Sequence, residues 1–296
     1  MRRGVGIGFV SMFMAAAAAA HPAAAARPSP LRIVAAENFY GDIARQIGGR
    51  HVVVSSILRN PDADPHLFEA SPSVARDLTA ARIVIANGVD YDPWMDKLLA
   101  ATPSARRQVI VAAVLMHRKP GDNPHLWYDP ATMPVVAKIL AADLAAADPA
   151  HRAFYAARLR AFDASLQPLL VKVAAMRAKF AGASVTATEP VFGYMAVAIG
   201  LRMRNARFQL AVMNNTEPGA GDVAAFETDL RRRAVKVLIY NAQASDPVAE
   251  RMMRLARRSH VPIVGVSETE PPGTTYQVWM LHQLNALDRA LSGGGP

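Results

Sequence analysis

The sequence contains no cysteine. This absence excludes a disulfide framework and a metal site built from thiolates, so any bound metal must be held by nitrogen and oxygen atoms. Acidic residues are fewer than basic ones, 24 Asp and Glu against 33 Lys and Arg, and the formal net charge is +9. The basic residues are dispersed, with the densest cluster at residues 231–233. This dispersal argues against nucleic acid as a partner.

Beyond the N-terminus, the sequence has no apolar run long enough to span a bilayer. At the N-terminus, Arg2 and Arg3 precede an apolar run from Val5 to Ala20, and small residues continue to Ala26. This order is typical of a secretory signal peptide, here residues 1–26, and predicts export to the periplasm. The alternative is an uncleaved signal that tethers the protein to the membrane, which would also place the folded part outside it.

The remaining chain predicts an α/β fold with two lobes, each a mainly parallel sheet flanked by helices. Short apolar runs alternate with stretches of helical periodicity in residues 27–129 and again in residues 183–296. The predicted strands are residues 31–35, 51–58, 82–87 and 108–114 in the N-terminal lobe, and 184–188, 208–213, 235–240 and 262–266 in the C-terminal lobe. Two such lobes predict a ligand cleft between them, at the carboxyl ends of the strands.

Residues 130–182 link the lobes and contain no strand-like run. From residue 149 to 180, apolar side chains recur at helical spacing and form one stripe. We interpret this segment as a long, rigid helix that joins the lobes and restricts hinge bending between them.

Two histidines occur in matching contexts, DPHLF at residues 64–68 and NPHLW at residues 123–127. In each, a proline restrains the backbone before the histidine, so the imidazole loses less freedom on binding a metal. Imidazole is a common ligand of zinc and other transition metals. His66 and His125 are therefore candidate ligands. The other histidines lack this context. His21 is interpreted as part of the signal peptide, and the rest are interpreted as surface or core residues: His51, His117, His151, His260 and His282.

Acidic residues follow the predicted strands of the C-terminal lobe. The phrase Thr-Glu-Pro occurs at Glu189, Glu217 and Glu270, and Glu268 lies two residues before the last of these. Such carboxylates can also be helix caps or loop charges. The position of the cleft favours Glu189 and Glu268, with Glu270 as the alternative to Glu268. Further polar residues at strand ends are either ligand-orienting groups or ordinary turn and cap residues: Asn38, Asn241 and Gln243.

These features resemble the zinc/manganese solute-binding proteins of bacterial metal ABC importers, also called cluster A-I or cluster 9. The resemblance covers nearly all of the exported chain. It rests on the two Pro-His motifs in order, the long helix and these further positions: Glu69, Pro72, residues 81–88, Trp94, Asp129-Pro130, Thr275-Tyr276 and Trp279-Met280.

The resemblance implies that each lobe supplies two ligands to one metal ion, which is the transported ligand. The matching positions are His66 and His125 in the first lobe and Glu189 and Glu268 in the second. Zinc-preferring members commonly carry a histidine where this chain has Glu189, ahead of residues 192–194, and often a His- and Asp-rich loop that is missing here. Two imidazoles with two carboxylates resemble the manganese branch, yet zinc normally binds a given N/O site more tightly than manganese.

The resemblance further implies a monomer whose partner is the membrane permease of the importer. Three alternatives stay open: a surface adhesin or scaffold with the same fold, a metal-dependent hydrolase, and a binding protein for another solute. A hydrolase is disfavoured, since four protein ligands leave no open coordination position and no HExxH or GxSxG motif is present. The sequence therefore predicts a binding protein rather than an enzyme.

Overall fold

The structure is a computed structural model that describes residues 1, 4, 29–60, 68, 71–244 and 246–293. Two sequence predictions lie outside the described residues. They are the signal peptide, apart from residues 1 and 4, and the ligand role of His66.

The N-terminal lobe is built on a parallel sheet with the strand order β2-β1-β3-β4. Its central strands are apolar and buried, as expected for strands covered on both faces. The strands are β1 (Leu31–Glu37), β2 (Val52–Leu58), β3 (Ile83–Ala86) and β4 (Gln108–Val111). The helices are α1 (Asn38–Gly48), α2 (Pro72–Ala80), α3 (Pro93–Ala101) and α4 (Ala112–Leu115).

Three helices link the lobes: α5 (Thr132–Ala147), α6 (Arg152–Ser165) and α7 (Gln167–Phe180). The predicted connecting helix is present as α6 followed directly by α7, with Leu166 as a turn residue between them. The break has a simple cause, since Pro168 has no N–H to bond to the preceding helical turn. The predicted apolar stripe continues through the break, because Phe162, Leu166 and Leu169 are all buried.

The C-terminal lobe repeats the topology of the first, with the parallel order β6-β5-β7-β8. Its strands are β5 (Ser184–Ala187), β6 (Arg202–Arg204), β7 (Leu238–Asn241) and β8 (Ile263–Val266). Its helices are α8 (Gly193–Ile199), α9 (Ala206–Met213), α10 (Ala220–Arg231), α11 (Pro247–Arg258) and α12 (Tyr276–Leu291). The predicted two-lobe α/β fold is confirmed, whereas the lobe boundaries at residues 129 and 182 stay predictions.

One predicted strand was wrong. Residues 208–213 belong to helix α9, and the sheet is extended instead by the short edge strand β6. Phe208 and Val212, four residues apart, both lie in a buried cluster with Phe226. A spacing of four residues places two side chains on the same face of a helix, so packing against this cluster favours α9.

Aromatic side chains from both lobes pack in one continuous core. The ring of Phe39, in α1, stacks on Trp127 with centroids 4.5 Å apart, and the ring of Trp279, in α12, lies 6.0 Å from Phe39. The hydroxyl of Tyr276 donates a hydrogen bond of 2.7 Å to the backbone carbonyl oxygen of Trp127. Aromatic residues bury about 150–250 Å² each, so this core ties the lobes together next to the strand ends.

None of the helices in the described part of the chain combines the length and apolarity needed to cross a membrane.

Candidate metal site

His125 is held in a fixed orientation by Asn123. The backbone N–H of His125 donates to Oδ1 of Asn123 at 3.1 Å, and Nδ1 of the ring lies 2.7 Å from the same oxygen. A carbonyl oxygen accepts at this position, so Nδ1 carries the proton and Nε2 carries the lone pair. Nε2 lies 3.4 Å from Oε2 of Glu268, and both side chains are fully buried. The ring therefore presents a ligand-competent nitrogen to a carboxylate of the other lobe.

Glu268 follows β8 and is oriented by three neighbours. Its backbone N–H donates to Oε1 of Gln243 at 2.6 Å. Its carboxylate accepts hydrogen bonds from Nδ2 of Asn241 at 2.5 Å and from the hydroxyl of Tyr91 at 3.0 Å. Tyr91 comes from the N-terminal lobe and Asn241 from the C-terminal lobe, so the carboxylate is fixed at the boundary between them.

Glu189 follows β5 and is buried, with 5% of its surface exposed. Its Oε2 accepts a hydrogen bond of 3.2 Å from Nδ2 of Asn241, the same amide that bonds Glu268. Asn241 is the last residue of β7, the strand between β5 and β8. Because the carboxyl ends of these parallel strands meet at one edge, the two glutamates lie on either side of one amide.

The loop of His125 also contacts the segment that carries Glu189. Nδ2 of Asn123 donates to the backbone carbonyl oxygen of Pro190 at 2.7 Å, and the hydroxyl of Tyr194 donates to the carbonyl oxygen of Asn123 at 2.8 Å. The structure thus brings His125, Glu189 and Glu268 to one boundary between the lobes.

Glu270 has a different environment from Glu268. Its backbone N–H donates to Oδ1 of Asn38 at 3.0 Å, and its carbonyl oxygen accepts from Nδ2 of Asn38 at 2.7 Å. Burial and the nearby charge of Asp42 raise the pKa of its carboxyl group to about 9, against the opposing charge of Arg45. A carboxyl group that is protonated at neutral pH is a poor metal ligand. Of the predicted orienting residues, Asn241 and Gln243 contact Glu268, whereas Asn38 holds Glu270.

Acidic groups are concentrated around the boundary. Burial, reinforced by the charge of Asp92, raises the pKa of Glu37 well above its ordinary value. Burial and the charges of Glu268 and Glu37 likewise raise the pKa of the Tyr91 hydroxyl. Burial is the larger cause for both groups and the neighbouring negative charges add to it, so a bound cation would favour their ionised forms.

Asn123, Tyr91 and Glu37 were not predicted as functional residues. Asn123 carried a usable signal, because an Asn two residues before a ligand can hydrogen-bond its backbone N–H in a turn. No sequence signal indicated Tyr91, because its position depends on the preceding turn, in which Val89 and Asp90 adopt φ values of 54° and 59°. That uncommon conformation of non-glycine residues decides where the phenol points.

The donor set has the chemistry of a divalent metal site. One imidazole nitrogen lies 3.4 Å from the buried carboxylate of Glu268, a second buried carboxylate shares the Asn241 amide with it, and the amide and phenol that bond the carboxylates are neutral. Imidazole with carboxylates suits zinc, and oxygen-rich sites also suit manganese. A dication would offset the cost of burying two carboxylates close together.

Replacement of Asn241 by Ala is expected to weaken metal binding about 10- to 100-fold, because both glutamates lose the amide that orients them. Competition titration with a chromophoric chelator measures the change. Asn214→Ala, at the exposed position directly after α9, is the matched control and should bind as the unsubstituted protein does. Equal affinity in the two variants would show that Asn241 does not support the site.

Comparisons with known proteins identify the family and the fold. A family model described as ZnuA, zinc-uptake complex component A, periplasmic, matches residues 33–290. A protein of Treponema pallidum named as a putative metal-binding protein is 24% identical, over 88% of this chain and 87% of its own length. The manganese-binding lipoprotein MntA of Bacillus subtilis is 22% identical, over 88% of this chain and 90% of its own. The solved periplasmic zinc-binding protein TroA of Treponema pallidum superposes with a TM-score of 0.75 at 19% identity, over 89% of this chain and 99% of its own.

Proposed function

The chain belongs to the ZnuA family of periplasmic zinc-uptake components, and from this we propose that it captures one divalent transition metal ion between its lobes and delivers it to an ABC importer. The metal is the cargo of the protein and not a catalytic cofactor. The observation that carries the proposal is the fully buried contact between Nε2 of His125 and the carboxylate of Glu268, one from each lobe.

The proposed ligands are His66, His125, Glu189 and Glu268. The last three lie together at the lobe boundary, and their orientation by Asn123 and Asn241 supports the assignment. His66 is assigned from its motif alone. Four protein ligands leave no coordination position for a reacting water, so a transport role is favoured over hydrolysis.

We propose manganese or zinc as the cargo. Two carboxylates in the set favour manganese as the physiological ion, because harder ions prefer oxygen ligands. Zinc is expected to bind more tightly than manganese to the purified protein, as the Irving–Williams order requires for a given site. Among the relatives, MntA is named as manganese-binding and TroA as zinc-binding.

We further propose that the protein acts in the periplasm as a monomer and docks on the permease of its importer. Support comes from the signal-like residues 1–26 and from the family description, which names a periplasmic component. A membrane-tethered form of the same protein would perform the same task, as the name of the lipoprotein MntA illustrates for a relative.

Deletion of the gene in its host should lower manganese or zinc accumulation at limiting external metal. Uptake of the radioactive ion is measured in the deletion strain that carries the unsubstituted gene, Glu268→Gln or Glu270→Gln. The unsubstituted gene and Glu270→Gln should restore uptake, whereas Glu268→Gln should not. Unchanged uptake on deletion would refute the importer role and favour an adhesive function, while rescue by Glu268→Gln would refute only the ligand assignment.

A further inference from the structure

A second group of metal-binding side chains lies away from the lobe boundary. His51, Asp148 and His151 each offer one ligand atom, and these three atoms lie within 4.8 Å of one another. His51 directly precedes β2, so it lies at the amino edge of the N-terminal sheet, whereas His125 and Glu268 meet at the carboxyl edges. We propose that this group is a second site for a divalent transition metal ion of the zinc class.

Two short turns bring the three residues together. His51 ends the 3₁₀ turn Gly49–His51 between α1 and β2. Asp148 precedes, and His151 ends, the 3₁₀ turn Pro149–His151 between α5 and α6. The His51 and His151 rings are in contact, with centroids 3.8 Å apart and planes tilted by 32°. Nδ1 of His151 lies 2.7 Å from Oδ2 of Asp148. The packing of α1 against α5 and α6 therefore pre-forms the cluster.

His51 has a nitrogen suited to a metal. Its Nε2 is buried and has no hydrogen-bond partner among the described residues. The neutral imidazole is the form that binds metals. A buried polar atom without a partner is costly, and coordination would satisfy it.

Asp148 is oriented as metal-binding carboxylates usually are. The hydroxyl of Tyr155 donates a hydrogen bond of 2.8 Å to its Oδ2. Tyr155 would orient the Asp148 carboxylate, as hydrogen-bond partners of metal ligands do.

The donor set and its exposure favour zinc. Two imidazoles, one carboxylate and a water complete a tetrahedral shell of the kind that zinc takes, whereas manganese prefers more oxygen. The side chains of His151 and Asp148 are 30% and 17% exposed, so an ion can enter without movement of the lobes. A bound ion would cross-link the turn before β2 to the start of the linking helices.

Zinc titration of the purified protein tests this proposal. The unsubstituted protein should bind two zinc ions per chain, and His151→Ala and Asp148→Asn should each bind one. His282→Ala, which removes an exposed histidine on α12, is the control and should bind two. The Glu268→Gln variant should bind only the ion at the His51 group, and the double variant Glu268→Gln with His151→Ala should bind none. Loss of binding at the lobe boundary is therefore distinguishable from loss of binding at the His51 group.

Uptake of a single zinc ion that is kept in His151→Ala and lost in Glu268→Gln would overturn the proposal, as would a second ion that persists in both His151→Ala and Asp148→Asn. If the variants misfold, hydrogen–deuterium exchange of the unsubstituted protein tests the site without any substitution. The second equivalent of zinc should slow exchange around residues 49–52 and 148–155. Protection elsewhere, or none, would refute the site.

Discussion

Replacement of Glu268 by Gln is expected to weaken manganese and zinc binding by more than about 100-fold, because outer-shell substitutions alone already cost about 10- to 100-fold. The change removes a charged donor from the buried pair with His125 and leaves a neutral amide in its place. The amide still accepts and donates hydrogen bonds, so Asn241 and Tyr91 keep a partner and the fold is preserved. Competition titration with a chelator of known affinity measures the loss.

The same substitution at Glu270 provides a matched control two residues away. Glu270 is fixed by Asn38, and its raised pKa makes it protonated at neutral pH. Glu270→Gln should therefore change the metal affinity by less than about threefold relative to the unsubstituted protein, because residues that share no partners with a site have little effect on it. A larger loss in Glu270→Gln than in Glu268→Gln would assign the fourth ligand to Glu270.

Saturating manganese should raise the melting temperature of the unsubstituted protein by roughly 10 °C, and His125→Ala should abolish the shift. A ligand at about 1,000 times its Kd stabilises the native state by about 4 kcal/mol. A protein of this size gains about 2–4 °C per kcal/mol. Manganese is the preferred probe, since the group around His51 is expected to bind it weakly. Differential scanning calorimetry with and without the ion gives the shift directly.

His282→Ala controls for the loss of any histidine, because this residue is exposed on α12. Its shift with manganese should equal that of the unsubstituted protein. The melting temperature without metal, compared across the three proteins, separates lost binding from lost stability. A full manganese shift in His125→Ala would contradict the ligand role of His125.

The sequence predicts the two sheets well because buried parallel strands are short, continuous apolar runs. It fails at residues 202–213, where the true strand β6 is three residues long and carries Arg202 and Arg204. A short edge strand needs little apolar surface, so periodicity cannot find it. The apolar residues of α9, next to this strand, resemble a strand in the sequence, and only their packing against Phe226 shows that they are helical.

The candidate site could be predicted in part, because its residues belong to local motifs. His125 follows a proline, and Glu189 and Glu268 follow apolar strands, which places them at one edge without knowledge of the tertiary structure. The choice between Glu268 and Glu270 could not be made from sequence, since it depends on contacts with Asn38 and Tyr91, which lie more than 170 positions away along the chain. The grouping of His51 with His151 was missed for the same reason.

The most direct measurement is the anomalous scattering of crystals grown with zinc and with manganese, recorded at the absorption edge of each metal. We expect one strong peak between the lobes, within about 2.0–2.2 Å of Nε2 of His125 and of carboxylate oxygens of Glu189 and Glu268. A zinc peak beside His51 and His151 would be additional to it. Absence of a peak between the lobes with either metal, in crystals whose lobes are in contact, would contradict the assignment of this protein as a metal carrier.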